Sequence, residues 1–412
     1  MNDLTGAGSP APLTGEGLRI GLATPAWPGT IVANGIASAV APLAAGLQAI
    51  GHRVTILAHW IDAPHDDPNV ISLPPRPTPL VERALFRIMP DHMVRRGMIA
   101  KLVAATRRAI AEQGIQVLVM EESFGWAGAL RRAVPIPVVA TLHGPYWLHR
   151  SGPGRPARGP DARREAWEAE GLRNVDAIIA PSHAVLDRTR AEWGLPDVPT
   201  AVIGNPVSLV DPVPAAVRSD TPQILFVGRF DRIKGADVVL DAFARVASRH
   251  PDCRLTFVGP DEGLVRADGS RLHVKQAIAA LPAGVRSRID VLGRKSRAEV
   301  AALRRSHPIT LIASRYETFG VALIEAMVAG AAVISTRVGG CAEILRDGET
   351  GLLVPPEDPQ AMAEACLRLL ADPALARQLG QSAQSDIAAR FAPQVIAREV
   401  ATFLAPICRP RE

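Results

Sequence analysis

Glu317 and Glu325, separated by seven residues in the stretch SRYETFGVALIEAMVAGAAVISTRVGG (314–340), are the acids whose surroundings first point to chemistry. Glu325 lies among Leu323, Ile324, Ala326 and Met327, in a helix too apolar to read as a solvated surface. A carboxylate placed there needs hydrogen-bond donors to offset its desolvation. The vicinal diol of a sugar or ribose supplies two, matched to the two carboxylate oxygens. A nearby arginine or backbone amide of the core would serve as well, and at this point both readings stand. The helix begins near Gly320, where Phe319, Gly320 and Val321 present backbone N–H groups without partners inside the helix, an arrangement suited to an anion. A second such element is FVGRFDRIKGADVVLDAF (226–243), which sets Arg229 and Lys234 in a loop ahead of a helix starting near Gly235. Two cations beside a helix start make a cradle for a diphosphate. The order of residues is not that of a Walker loop.

The elements that must position these groups alternate along the whole chain. A buried strand at 18–23, a Gly/Pro loop, a helix from about Ile36 and a strand at 54–58 form a βαβ opening. Its loop carries Gly29, Asn34 and Gly35 without a GxGxxG fingerprint, so it either shapes a turn or lets a ligand approach the helix start at Gly35. Helical periodicity over 81–113 sets Leu85, Ile88, Met93, Met98, Ile99 and Leu102 on one face with arginines at the rim. Strands follow at 117–120, 138–142, 176–182 and 200–206. His143 stands directly after one of them, where ligands bind in open parallel sheets, although a histidine there serves equally as a strand cap. Residues 207–222, rich in Pro, Asp and Ser, read as a linker. A second alternation of strands and helices then runs to 354, and three helices, each opened by proline, close the chain. Two doubly wound halves are expected to face each other across a cleft that holds the site.

Composition narrows the class. At 412 residues the chain is too long for one ordinary core, and 48% hydrophobic residues with few aromatics describe an Ala-rich globular protein. The longest apolar run, 39–50, is too short to span a membrane. The start lacks the basic and apolar regions of a signal peptide, so 1–17 reads as a disordered leader and the expected location is cytoplasmic. Cys253, Cys341, Cys366 and Cys408 have neither disulfide-framework nor zinc spacing. A net charge of +5 is modest for nucleic-acid binding, but eight Lys/Arg fall within 76–108 and five Arg within 150–164. Such basic segments suit a solvated helix face first, and peripheral contact with an anionic membrane or an acidic acceptor second.

Taken together the motifs resemble the retaining glycosyltransferases of family 4, with the GT-B architecture of two Rossmann-like doubly wound domains facing a central cleft. The resemblance rests on Glu317 and Glu325 as a Glu-x7-Glu signature, on Arg229 and Lys234, and on Gly339, Gly340 and Glu343 in GGCAEILRDGETGLLVPP. Gly51-His52-Arg53-Val54-Thr55 adds a further motif. It implies an acceptor-side domain over 18–206, a linker over 207–222, a nucleotide-sugar-binding domain over 223–390 and a segment over 391–412 whose helix crosses back to the first domain. It also implies that Glu325 binds the donor ribose, that Glu317 binds the transferred sugar, and that backbone at Phe319, Gly320 and Val321 contacts sugar and diphosphate. Arg229 and Lys234 would hold the diphosphate, Gly293 and Arg294 would lie near the base, and His143 corresponds to a histidine beside the donor sugar. Two positions depart from the family pattern: Asn205-Pro206 where Asn-Gly is frequent, and Asn34-Gly35 where Gly-Gly is usual.

The expected activity is transfer of a sugar, with retention, from a nucleotide-diphosphate sugar to a hydroxyl acceptor in cell-surface polysaccharide or glycolipid synthesis. No Asp-x-Asp occurs in the sequence, which fits a site without metal or other cofactor, the nucleotide sugar being a co-substrate. The acceptor is expected to be a carbohydrate or lipid-linked molecule. The competing readings are a transferase or phosphorylase acting on a small soluble acceptor, and a non-catalytic sugar-nucleotide-binding subunit.

Overall fold

The computed structural model describes residues 17–27, 35–61, 67–73, 89–148, 158–208, 222–266 and 268–408. All but one residue of the expected leader, and most of the expected linker, lie outside them, as do Gly29, Asn34, Leu85 and Ile88. The first sheet is built from β1 (Arg19–Trp27), β2 (Arg53–Ile61), β3 (Val70–Ser72), β4 (Val117–Glu121), β5 (Val138–Thr141), β6 (Ala177–Ala180) and β7 (Thr200–Val202). Its order is β3-β2-β1-β4-β5-β6-β7, and every pairing is parallel. Strands of this kind are covered on both faces, which is why β4 and β6 are buried throughout, β6 as an unbroken apolar run and β4 as one closed by Glu121. The short β3 carries no such run and gave no sequence signal. The basic periodic segment forms the helix Pro90–Gln113, with Met93 and Leu102 buried.

The second sheet comprises β8 (Gln223–Val227), β9 (Arg254–Val258), β12 (Ile289–Gly293), β13 (Ile309–Ile312), β14 (Ala332–Thr336) and β15 (Leu352–Val354). A small antiparallel pair, β10 (Leu264–Val265) and β11 (Arg271–Leu272), is inserted after β9. The order is β12-β9-β8-β13-β14-β15, again all parallel. In each sheet the order reverses once among these strands, between β1 and β4 and between β8 and β13. Loops at the carboxyl ends diverge at such points and leave a crevice.

Local chemistry sets the helix limits. Ser182, Ser296, Asp358 and Asp372 cap helix starts with their side chains, and Pro359, Pro373 and Pro393 occupy first turns where a missing N–H costs nothing. Gly339 and Gly340, a pair that by composition reads as a loop after β14, open a short helix, Gly339–Ile344. The last helix, Pro393–Ile407, packs along Gly35–Ala49 of the first half. Gly46 makes that crossing close, because a Cβ there would stand 2.2 Å from the Pro393 carbonyl oxygen. One apolar cluster therefore runs from Ile20 and Leu22 through Val40 and Leu47 to Ile396 and Val400, and on to Phe319 and Leu323. Burial of that continuous surface joins the halves.

Candidate active site

The loop after β8 is shaped by Asp231. One of its oxygens accepts the Lys234 N–H at 2.8 Å and the other accepts Arg229 Nε at 2.6 Å, while Phe230, fully buried, anchors the loop beside Phe257. The turn ends at Gly235, which caps the helix Ala236–Arg249 with φ +65°. A Cβ at Gly235 would lie 1.9 Å from the Ala313 carbonyl oxygen, so only glycine lets this loop close against the end of β13. That contact joins two segments distant in sequence. Lys234 Nζ lies 2.5 Å from Glu317 Oε1, which also accepts from Ser314 Oγ at 2.7 Å.

Arg315, which no motif marks, fastens the same two loops. Its guanidinium meets Asp237 at 2.8 Å and Glu357 at 2.7 Å and donates to the Arg232 carbonyl at 2.6 Å. The Asp237 hydrogen bond, with help from Glu357, raises its pKa further above the usual arginine value. The signal available in sequence was only an Arg adjoining the Glu317 loop. Its partners come from elsewhere in the chain.

Glu325 has an arginine partner. Arg304, on the helix Arg297–Ser306, is 4% exposed and its Nη1 faces Glu325 Oε2 in direct contact. The Glu325 side chain is 36% exposed, less enclosed than its apolar neighbours in sequence imply. The physical reason is helical geometry: Leu323, Ile324, Ala326 and Met327 turn to the core, whereas Glu325 faces the Arg304 helix and solvent. Arg304 thus offsets the desolvation of one carboxylate oxygen without any sugar ligand. Nearby, Gly320 takes φ +98° as the cap of the helix Val321–Val328. Phe319 is buried edge-on to Phe391 at 5.6 Å, so its side chain serves packing, and the backbone is what it can offer a ligand. Val321 is exposed at the helix start. Gly339 and Gly340 lie directly beneath this loop, where a Cβ on Gly339 would come within 1.9 Å of the Glu317 carbonyl oxygen.

His143 follows β5 in the first half, and its carbonyl accepts from Thr318 Oγ1 at 3.0 Å, one residue from Glu317. His143 lines a crevice with Glu121, Thr141 and Asn205, and burial pulls the imidazole down to about 4, which keeps it neutral. The His143 loop is held by acids. Glu122 accepts the N–H groups of His143 and Gly144 at 3.0 and 2.8 Å, and Glu168 accepts that of Tyr146 at 2.7 Å. Desolvation, and then the neighbouring Glu168, push Glu122 up to about 8, while desolvation pushes Glu121 up to about 7. Glu121, the last residue of β4, and Glu122 beside it stand out as acids in the sequence, but their burial does not.

The remaining candidates sit at the same carboxyl edges. Gly35 opens the helix after β1. Gly293 ends β12 with φ +65° and its carbonyl accepts the Gly259 N–H at 2.9 Å, while Gly259 in turn abuts the Gly228 carbonyl. Gly293 and the exposed Arg294 therefore continue the rim that begins at Arg229. The structure brings Arg229, Lys234, Glu317, Phe319, Gly320 and His143 around one junction, with Glu325 one turn further along its helix. Among the described residues no group of His, Cys, Asp and Glu has the arrangement of a metal site, and no helix is long and apolar enough to cross a membrane.

Comparison with known proteins finds glycosyltransferases among the relatives. A D-inositol 3-phosphate glycosyltransferase of Corynebacterium jeikeium is 32% identical over 226 residues, covering 54% of this chain and 48% of that protein. Matches to such curated relatives span from 36% to 68% of their length. A sucrose-phosphate synthase from Thermosynechococcus elongatus superposes with a TM-score of 0.68 at 26% identity, over 95% of this chain and 99% of that one. HepE of Anabaena, solved in complex with UDP and glucose, shares the fold, with a TM-score of 0.68 at 19% identity over 94% and 100% of the two chains. The family model described as Glycosyltransferase Family 4 matches residues 33–210, and the one described as Glycosyl transferases group 1 matches residues 211–386. The two models meet end to end and take in every strand of both sheets except β1, and the chain belongs to the group 1 glycosyltransferases of family 4, with the GT-B fold.

Proposed function

We propose that this protein transfers a sugar from a nucleotide-diphosphate sugar to a hydroxyl acceptor, with retention of anomeric configuration and without a metal ion. The observation that carries the reading is the meeting of Lys234 with Glu317 at the β8/β13 crevice, beside Arg229 and two helix starts. Before the donor arrives, Asp231 and Glu317 hold the two cations. A diphosphate entering the cradle exchanges those acids for its own oxygens. As the glycosidic bond breaks, the departing nucleoside diphosphate gains charge, so Arg229, Lys234 and the N–H groups at Gly320 and Val321 stabilise the transition state more than the ground state. These groups take the role a metal would fill. Glu317, already engaged by Lys234 and Ser314, binds the transferred sugar and is not a nucleophile. The departing phosphate accepts the acceptor's proton on the same face. His143, neutral at physiological pH, offers a hydrogen bond to the sugar from the first half. Glu325 takes the ribose diol with the oxygen not facing Arg304.

The acceptor is read as a carbohydrate or lipid-linked alcohol of cell-surface polysaccharide or glycolipid synthesis, met in the cytoplasm or at the cytoplasmic face of the membrane. Donor-dependent thermal shift and donor hydrolysis across a panel of nucleotide sugars, with and without EDTA, test the first half of this reading. UDP-sugars head the panel, since HepE was solved with UDP, and an inositol phosphate belongs among the acceptors. One donor that stabilises and turns over regardless of EDTA, with an α-linked donor giving an α-linked product by NMR, is the expected result. Inversion, or loss of turnover in EDTA, would overturn the corresponding part. Donor binding without turnover on any acceptor would favour a non-catalytic binding subunit.

A further inference from the structure

We propose that Glu343 is a positioning residue: its carboxylate, from the second half, caps the helix His183–Trp193 of the first half and latches the cleft in the closed arrangement. Glu343 Oε2 accepts the His183 N–H and Oε1 the Ala184 N–H, both at 2.8 Å. These are the first two donors of that helix, which no residue of the helix itself can satisfy. The third is taken by the helix's own cap, since Ser182 Oγ accepts from Val185 at 3.3 Å. That same hydroxyl donates across the cleft to the Thr318 carbonyl at 2.6 Å. The helix start is thus completed only when the halves meet, and a negative charge at its positive end adds to the attraction.

Two further contacts place this latch in the reaction's path. Thr318, next to Glu317, reaches the His143 carbonyl through its Oγ1. Arg188, one turn along the latched helix, stands over Trp147 at 4.7 Å and over Tyr316 of the opposite half at 5.0 Å. The capped helix therefore governs how far His143 stands from the Glu317–Lys234 pair. Glu343 is nonetheless exposed to solvent, and its segment is fixed from behind by Arg390, which donates to the Ile344 carbonyl at 3.0 Å. Breaking the cap returns a carboxylate to water and strands no buried charge. Such a contact can be made and released in each cycle, whereas the apolar packing of Pro393–Ile407 on Gly35–Ala49 remains.

The inference rests on the transfer activity proposed above for its kinetic consequence, but not for its conformational one. In the full chain, Glu343→Ala and the isosteric Glu343→Gln are compared with the native protein by small-angle scattering and by kinetics. Both variants are expected to scatter with a larger radius of gyration in the presence of nucleoside diphosphate. Nucleoside diphosphate affinity, measured by calorimetry, should stay within about twofold, because the cradle belongs to the second half alone. Transfer kcat/KM should fall roughly 2- to 30-fold, the range expected for loss of a helix cap. A native-like radius and native-like transfer in both variants would overturn the proposal, as would a parallel loss of nucleotide affinity, which would make Glu343 a donor-site residue. Should the native protein transfer no sugar at all, the functional reading fails, and the scattering comparison still decides for or against the latch.

Discussion

Lys234 Nζ and Glu317 Oε1 lie 2.5 Å apart although 83 residues separate them. The two loops concerned follow β8 and β13, which are hydrogen-bonded neighbours at the point where the strand order reverses. The backbone contact of Gly235 on Ala313 fixes their approach, and Arg315 ties them from the other side through Asp237 and the Arg232 carbonyl. The cradle is thereby built before a ligand arrives, which is the condition for electrostatic assistance without reorganisation.

Replacing Lys234 by Ala should lower kcat for donor hydrolysis and transfer by about 10²- to 10³-fold, the usual cost of removing one pre-organised charge stabiliser. The fold should persist, because Lys234 is partly exposed and Ser314 still donates to Glu317. Steady-state kinetics alongside circular dichroism check this. Turnover within threefold of native would remove Lys234 from the site.

Glu325→Gln should destabilise the protein as well as weaken donor use. Arg304 is almost wholly buried, its Nε has no protein partner, and its Nη1 faces Glu325. Loss of the carboxylate strands that guanidinium, at a cost of about 1–3 kcal/mol, below the range for a fully buried pair because Glu325 is partly open to solvent. Urea unfolding measures it. The Arg304→Met/Glu325→Gln double variant should recover part of the loss, and simple additivity would deny the coupling.

Stability should fall between pH 6.5 and 8.5. Glu121 and Glu122, raised by burial from 4.5 to about 7 and about 8, contribute stability that is fully present below pH 4.5 and lost as pH rises through those values. His143 acts in the opposite sense: with its pKa depressed from 6.5 to about 4, its contribution is present above pH 6.5 and lost only toward acid. Above pH 6.5 the two carboxyls therefore decide, with a loss on the order of 2 kcal/mol. Thermal melts across this window test it. Glu121→Gln, which removes the carboxylate whose Oε2 has no partner, should flatten the slope and raise the melting temperature at pH 8.5.

Gly235→Ala should cost at least about 2 kcal/mol, since it combines a left-handed backbone with a clash against the Ala313 carbonyl. Relief requires the β8 loop to move away from β13, so affinity for nucleoside diphosphate should fall with it. A variant that melts and binds like the native protein would mean that the two loops are not held by this contact.

Much of this architecture could be read along the chain because it is decided locally. Apolar runs broken by glycine and proline gave the strands of both sheets, and proline at 359, 373 and 393 marked the closing helices. Arg229, Lys234, Glu317 and Glu325 stood out as polar residues at strand ends or on an apolar helix. β3 escaped notice because three residues carry too little periodicity, and Gly339–Ile344 because two glycines argue against a helix, although here the overlying Glu317–Phe319 backbone leaves no room for a Cβ at either.

Hydropathy, capping and turn chemistry act over a few residues, so the alternation of elements and the loops that bear charge are written locally along the chain. It takes the folded chain to show that Arg304 answers Glu325, that Glu121 and Glu122 are buried, and that Glu343 closes a helix of the other half. Each of those depends on which distant surfaces the packing of two sheets brings within a few ångströms, and on the solvent it excludes there. Partner choice and dielectric are properties of the assembled fold, and no spacing along the chain encodes them directly.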